Sequence, residues 1–288
     1  MTAMGRLNGA QGTGEATGAG RAEHPVRPDG PAPLSFAPSP GGRPFGRMVV
    51  THARMEVRLL FRNGEQLLLA LVIPLLLLVG GAASGDVIDL GGGRRIDVLA
   101  PGVLALAVMS TAFTSVAIST AFERRYGVLK RLGASPLPRA GLLLGKVVSL
   151  LVVVALQMAA ISVVALLLSW EPIGGVGAAA GSAALVALGT ASFAGLGLLM
   201  AGTLPAEATL AGANLVYVVL LVAGAVVVPL SSYPSGMRDV VTMLPSGALA
   251  EGLRNVLTGG GPGISNMAVL AAWAAVAAAL TARTFRWE

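Results

Sequence analysis

The chain has 288 residues, of which 55% are hydrophobic and 12% charged, with a net charge of +6 and no cysteine. Its mean hydropathy of +0.77 leaves too few charged residues to cover a soluble globule. The composition also excludes a disulfide framework, a thiolate metal site and a cysteine nucleophile, and the basic residues flank apolar segments, which argues against nucleic-acid binding.

Residues 1–45 are rich in Gly, Pro, Ala and Ser and have no sustained apolar period. This composition predicts a disordered tail. A signal peptide needs an apolar stretch soon after its basic start, and nothing before Val49 supplies one. We therefore expect the tail to remain on the chain, on the cytoplasmic side.

Residues 46–64 form an amphipathic pattern at helical spacing. Drawn as a helix, they separate basic from apolar side chains onto two faces, Arg47, Arg54, Arg58 and Arg62 against Met48, Met55 and Leu59. Such a helix is expected to lie along the inner membrane interface. The alternative is a basic flank that anchors the first span.

Six apolar stretches of about membrane-spanning length follow. They cover residues 66–84, 101–121, 142–169, 176–202, 208–230 and 266–284. None alternates with period 2, so they predict helices and not strands. The expected fold is an all-α polytopic membrane protein with six transmembrane helices, the first kinked at Pro74.

The distribution of Lys and Arg predicts the orientation. Basic residues concentrate before the first span, between the second and third spans and at the C-terminus, whereas the other connections carry mainly Arg94, Arg95, Arg238 and Arg254. The positive-inside rule then places both termini in the cytoplasm. We expect the protein itself to lie in the plasma membrane.

The connection over residues 122–142 is longer and more charged than two spans require. Residues 121–132 can continue the second span as a helix, with Glu123, Gly127 and Lys130 along one side. Pro136 and Pro138 then prevent simple continuation and begin a short new element. This arrangement is typical of a docking surface, although a plain basic loop would also satisfy the positive-inside rule.

The outer segment over residues 231–265 is longer than plain linkage requires, and we predict that it forms short helices before the last span. Leu249 and Leu253 repeat at helical spacing, and Ser246 after Pro245 favours a helix start. We expect these helices to enter the outer leaflet or to cap a central cavity.

Charged residues are missing from the central parts of the six predicted spans, which argues against a proton-coupled carrier. Gln157 and Asn214 are the notable polar residues there; they either form hydrogen bonds between helices or line a route for substrate. His24 and His52 are far apart without an acidic cluster and predict no metal site.

Two segments carry a family resemblance. The run from Glu123 to Pro138, followed by Gly145-Lys146, resembles the first cytoplasmic loop of type-2 ATP-binding-cassette permeases. These include the membrane subunits of daunorubicin-resistance-like drug exporters and of polysaccharide exporters. Leu244–Arg254 is similar to the segment that these permeases carry before their last span. The resemblance implies outer re-entrant helices at about residues 235–257.

The resemblance implies a permease subunit, not an enzyme, that moves a hydrophobic or amphipathic drug, antibiotic or lipid-linked molecule out of the cell. It would pair with a second copy or a paralogous permease and with two ATPase subunits. ATP and Mg would bind to those partners, and no cofactor to this chain.

The resemblance also assigns a coupling helix near Ser135 to Leu142 and a set of residues that contact the ATPase. They are Glu123, Arg124, Gly127, Lys130, Arg131, Ser135, Pro136, Leu137, Pro138 and Arg139. The alternatives are a non-transporting scaffold or assembly subunit, an ATP-independent channel or carrier, and an intramembrane enzyme.

Overall fold

The computed structural model describes residues 44–62, 64–84, 94–133, 138–261 and 263–285. These residues are almost entirely helical. The helices are α1 (Phe45–Arg62), α2 (Gly64–Ala83), α3 (Arg95–Met109), α4 (Val116–Arg125), α5 (Val128–Gly133), α6 (Arg139–Leu167), α7 (Gly175–Thr203), α8 (Ala206–Ala223), α9 (Ser235–Met243), α10 (Pro245–Leu257) and α11 (Ile264–Thr284). The predicted tail over residues 1–45 lies almost entirely outside the described residues.

Five helical segments are long and apolar enough to cross a membrane. They are Arg95–Arg125, Ala140–Leu167, Gly175–Thr203, Ala206–Ala223 and Ile264–Thr284. The predicted first span coincides with α2, whose Ala70–Ala83 portion is a shorter apolar helix. The all-helical fold is confirmed, and a sixth crossing by α2 stays a prediction.

The segment Arg95–Arg125 lies at the centre of the bundle, since 78% of its most apolar stretch is buried. It is one continuous helical rod in which a π-helical segment, Ser110–Ser115, joins α3 to α4. Helix α7 packs against this rod on one side and against α11 on the other. The short helix α10 is buried among α3, α7 and α11.

The bundle has two ends. At the Lys146 end, α4 finishes, α6 begins and α1 packs against α6. At the Arg254 end, α2 and α8 finish, α3 begins, and α9 and α10 lie between α8 and α11 in the chain.

The predicted helix over residues 121–132 is wrong in one respect, because the chain turns in the middle of it. Helix α4 ends at Arg125 and α5 starts at Val128, with Tyr126 and Gly127 forming a turn. Gly127 has a φ of +69°, a conformation that costs glycine little. Glu123, Gly127 and Lys130 therefore do not share one face of a single helix.

The predicted fifth span is too long, since α8 ends at Ala223 and not near residue 230. Beyond it, Ala225 has a φ of +52°, which a right-handed helix does not permit. The carbonyl groups of Ala225 and Val226 instead accept hydrogen bonds from Arg254. A distant side chain thus ends the helix early.

The amphipathic segment forms α1, close to the predicted bounds of 46–64. Its buried residues Val49, His52 and Ala53 face α6, whereas Met55 and Leu59 of the predicted apolar face are exposed. Placement of those two side chains in a membrane interface stays a prediction.

Candidate functional site

An ionic cluster of four side chains from three helices lies at the Lys146 end. The Nζ of Lys146 lies 2.9 Å from both carboxylate oxygens of Glu123 and 3.7 Å from Oε2 of Glu56. The imidazole Nε2 of His52 lies 3.6 Å from the other oxygen of Glu56. The cluster therefore links α1, α4 and α6 through charge.

The cluster is largely shielded from solvent. The side chain of Lys146 is 9% exposed, that of Glu56 14% and that of Glu123 26%. Gly145 makes room for His52, because a Cβ there would come within 3.2 Å of the His52 Cγ. Since buried ions need partners, movement of α6 relative to α4 or α1 would carry a large electrostatic cost.

A cavity of about 260 Å³ adjoins this cluster. Glu56, Glu123 and Lys146 line it together with apolar residues of α1, α5 and α6, among them Leu59, Leu132 and Leu150. In the described part of the chain, no group of three or more His, Cys, Asp and Glu residues could hold a metal ion.

The predicted coupling residues divide into three groups. Glu123 and Arg124 turn inward: Glu123 joins the ionic cluster, and Arg124 donates a hydrogen bond of 2.7 Å to the Leu204 carbonyl oxygen between α7 and α8. Lys130 and Arg131 lie exposed on α5. Gly127 occupies the turn before α5.

Ser135, Pro136 and Leu137 lie outside the described residues. Pro138 is exposed, and Arg139 begins α6, although its side chain lies outside the described part. Residues 139–142 therefore belong to the first turn of α6. The implied coupling helix near Ser135 to Leu142 stays a prediction for Ser135, Pro136 and Leu137.

The residues predicted for the helical outer segment lie on α10. Pro245 is the first residue of this helix, one residue before the predicted start at Ser246. Ser246 is buried and does not cap the helix. Leu249 and Leu253 are fully buried, with Leu249 against Gly189 near the middle of α7.

Arg254 of α10 binds the chain that follows α8, at the end of the bundle opposite Lys146. Its side chain is buried and donates hydrogen bonds of 2.6 and 2.8 Å to the carbonyl oxygens of Ala225 and Val226. Burial lowers the pKa of the guanidinium, while the carboxylate of Glu251, 3.6 Å away, acts in the opposite direction. Gly102 of α3 permits this arrangement, since a Cβ there would overlap the Val226 carbonyl oxygen.

Gln157 and Asn214 have different environments. Gln157 is buried; it accepts a 2.8 Å hydrogen bond from Thr111 and donates one of 3.2 Å to the Ala70 carbonyl oxygen. Asn214 is exposed and donates only to Leu210 of its own helix among the described contacts. Gln157 therefore forms hydrogen bonds between helices, which is one of the two predicted roles. Asn214 faces outward.

Sequence reasoning missed the roles of His52, Glu56, Lys146 and Arg254. One signal was available for Lys146, because a lone lysine inside an apolar run requires a partner. His52 and Glu56 stand four residues apart, which places them on one face of α1. Arg254 similarly interrupts the apolar repeat of α10.

A family comparison settles the class of this membrane protein. The family described as ABC-2 family transporter protein matches residues 95–283, roughly two thirds of the chain. The chain belongs to the ABC-2 transporter family. No curated protein matches it significantly.

ABC-2 membership and the apolar helices define a multi-pass membrane protein that is a transport component and is not itself catalytic. The matched region begins at the first residue of α3 and ends in the last turn of α11. It contains Glu123, Lys146 and Arg254, whereas His52 and Glu56 of the ionic cluster precede it. Family membership implies association with ATP-binding-cassette components.

Proposed function

We propose that this ABC-2 protein is the permease subunit of an ATP-driven exporter. It moves a hydrophobic or amphipathic drug, antibiotic or lipid-linked molecule outward across the plasma membrane. Two separate ATPase subunits bind ATP and Mg and supply the energy. The observation that carries this proposal is the family match, joined to an ionic cluster that includes Glu123 of the predicted coupling region.

The coupling surface comprises α5 and the connection that leads into α6. Lys130 and Arg131 are exposed there and suit acidic groups on an ATPase subunit. Because this connection directly precedes α6 in the chain, a push on it acts on the helix that carries Lys146.

The ionic cluster gives that push a path to other helices. A shift of α6 must take Glu123 and Glu56 with it or break buried charge pairs, at a cost of several kcal/mol. Glu123 belongs to the central rod, in which the π-helical segment Ser110–Ser115 offers a place for a change in helix winding. The rod contacts α10 at Gly102, so the motion reaches the Arg254 end.

The charge pattern supports the orientation of the protein in the membrane. The Lys146 end carries the exposed basic residues of α1 and α5 and is the cytoplasmic end. With α2 as the sixth span, both termini lie in the cytoplasm.

Asn214 is exposed on a spanning helix, which supports a contact with a second permease copy or a paralogue there.

The experiment purifies the tagged permease in mild detergent and identifies bound proteins by mass spectrometry. The ATPase activity of the reconstituted complex is then measured with and without candidate substrates. We expect an ATPase subunit to be recovered. Charge reversal of Arg131 weakens its retention, and reversal of Arg283, exposed at the end of α11, serves as a matched control.

Recovery of the permease alone, without nucleotide hydrolysis, would favour a scaffold or an ATP-independent carrier. Equal retention of the ATPase by the Arg131→Glu and Arg283→Glu variants would remove α5 from the docking surface. A variant with Gly inserted at Pro136 separates docking from coupling, because we expect it to retain the ATPase but lose substrate-stimulated hydrolysis.

A further inference from the structure

A groove lies between α6 and α7 and opens on the outside of the bundle. It has a volume of about 530 Å³. On α7 its wall consists of small residues, including the exposed Ala179, Ala183 and Ala187. Leu253 and Leu257 of α10 form the floor, so the two spans remain apart where small residues would otherwise allow close contact.

The lining of this α6–α7 groove is mainly apolar. No described residue that lines it carries a charge. Ser182 also faces it, and its Oγ is buried without a hydrogen-bond partner among the described residues. Because this Oγ is buried, the groove offers an occupant a mainly apolar surface.

The groove has the length of one membrane leaflet. Along α7 it extends from Gly175 to Ala187, a rise of about 18 Å, and half of the hydrocarbon core is about 15 Å thick. Trp170 lies at its outer end, and tryptophan is enriched at the membrane–water interface. The adjacent ion pair of Arg94 and Glu171, at 2.9 Å, also belongs at headgroup level.

The groove is too narrow for another helix. Its volume of about 530 Å³, divided over about 18 Å, gives a cross-section on the order of 30 Å², whereas a helix with side chains is about 10–12 Å wide. An extended chain of methylene groups fits that width.

We propose that the α6–α7 groove binds one acyl chain of a bilayer phospholipid from the leaflet at the Arg254 end. The chain lies along Ala179 and Ala183 over α10, and its ester group lies beside Trp170 at headgroup level. The bound lipid supports α10 from the outside. This site requires only that α6 and α7 span the membrane, and it is independent of the exporter mechanism.

The test uses the full-length protein in nanodiscs that contain a phosphatidylcholine with a diazirine on one acyl chain. After illumination, peptides are mapped by mass spectrometry. We expect labelling on the groove faces of α6 and α7 at least tenfold above that on the exposed face of α11. Ala183→Trp fills the groove and should abolish the excess, whereas Ala272→Trp on α11 should leave it unchanged.

Ala183→Leu is a milder variant that keeps an apolar surface, and it should reduce the labelling at least threefold because it narrows the groove. Equal labelling of α7 and α11 would identify ordinary surrounding lipid and overturn the proposal. A disulfide-linked dimer formed through Ala183→Cys would also overturn it, because a second copy of the chain would then cover the groove.

Discussion

Lys146 and Arg254 are buried cations near opposite ends of the bundle, and they are satisfied in different ways. Lys146 faces two carboxylates, Glu123 and Glu56, whereas Arg254 bonds mainly to backbone carbonyl groups. An ammonium is a compact charge, while a guanidinium presents a planar fork that reaches two acceptors at once. Each residue type therefore suits its own surroundings.

Replacement of Lys146 by Met should destabilise the protein by about 3 kcal/mol, because two carboxylates remain buried without their cation. The midpoint of thermal unfolding in detergent, followed by tryptophan fluorescence, measures this loss. Adding Glu123→Gln to Lys146→Met should recover part of it. Lys130→Met, at an exposed position of α5, is the control and should change stability by less than about 0.5 kcal/mol. Equal effects at both lysines would show that the ionic cluster contributes nothing.

Replacement of Arg254 by Leu should free the carbonyl groups of Ala225 and Val226 and loosen the chain after α8. Hydrogen bonds to a charged group contribute about 1.5–3 kcal/mol each, so faster amide hydrogen exchange is expected over residues 224–233. Arg254→Lys should give an intermediate result, since an ammonium cannot match both acceptors as the guanidinium does. Exchange rates unchanged from the native protein in both variants would contradict this role.

At the scale of helices, glycine residues decide where elements turn and how closely they approach. Gly127 allows the turn that separates α4 from α5, and nothing lies within 4 Å of a Cβ at this position, so its backbone conformation alone requires glycine. Gly197 has an ordinary helical conformation and is needed for contact instead. It brings α7 against the π-helical segment at Phe113.

Gly197→Ala should destabilise the bundle by about 1–3 kcal/mol, because its Cβ would lie 2.8 Å from the Phe113 carbonyl oxygen and 3.3 Å from the Ala117 nitrogen. Gly177→Ala on the same helix is the matched control, since nothing lies within 4 Å of a Cβ there. Thermal unfolding in detergent compares the two. A loss of stability in Gly177→Ala as large as in Gly197→Ala would mean that helix contact is not the cause.

At the scale of the whole molecule, the charged features are divided between two ends. The ionic cluster and the exposed basic residues of α5 lie at one end, and Arg254 with α9 and α10 lies at the other. The central rod of α3, the π-helical segment and α4 connects them.

The natural absence of cysteine makes the orientation easy to test. Lys130→Cys and Arg238→Cys each introduce one thiol at an exposed position, at opposite ends of the bundle. In intact cells, a membrane-impermeant maleimide should label only the variant at 238, and lysis should expose the thiol at 130. Labelling of the 130 variant in intact cells would reverse the assigned orientation.

The fold class and five membrane-spanning helices could be predicted because length and hydrophobicity are local properties of a segment. The family resemblance was recognisable for the same reason, since the Glu123–Pro138 run is continuous in the chain. Local signals did not suffice for the end of α8. Gly224 follows that helix directly, but the apolar run continues to Leu230, and Arg254, distant in sequence, binds the carbonyl groups of Ala225 and Val226.

The candidate site depended on tertiary structure. Lys146 meets Glu123 and Glu56 only because α1 and α4 both pack near the start of α6, and no periodic pattern specifies which helices touch or how each is rotated. The α6–α7 groove arises for the same reason, since Leu253 and Leu257 of α10 occupy the space between two spans. Sequence thus determined which segments enter the membrane, and the packing of distant helices determined which charges pair and where a cavity remains.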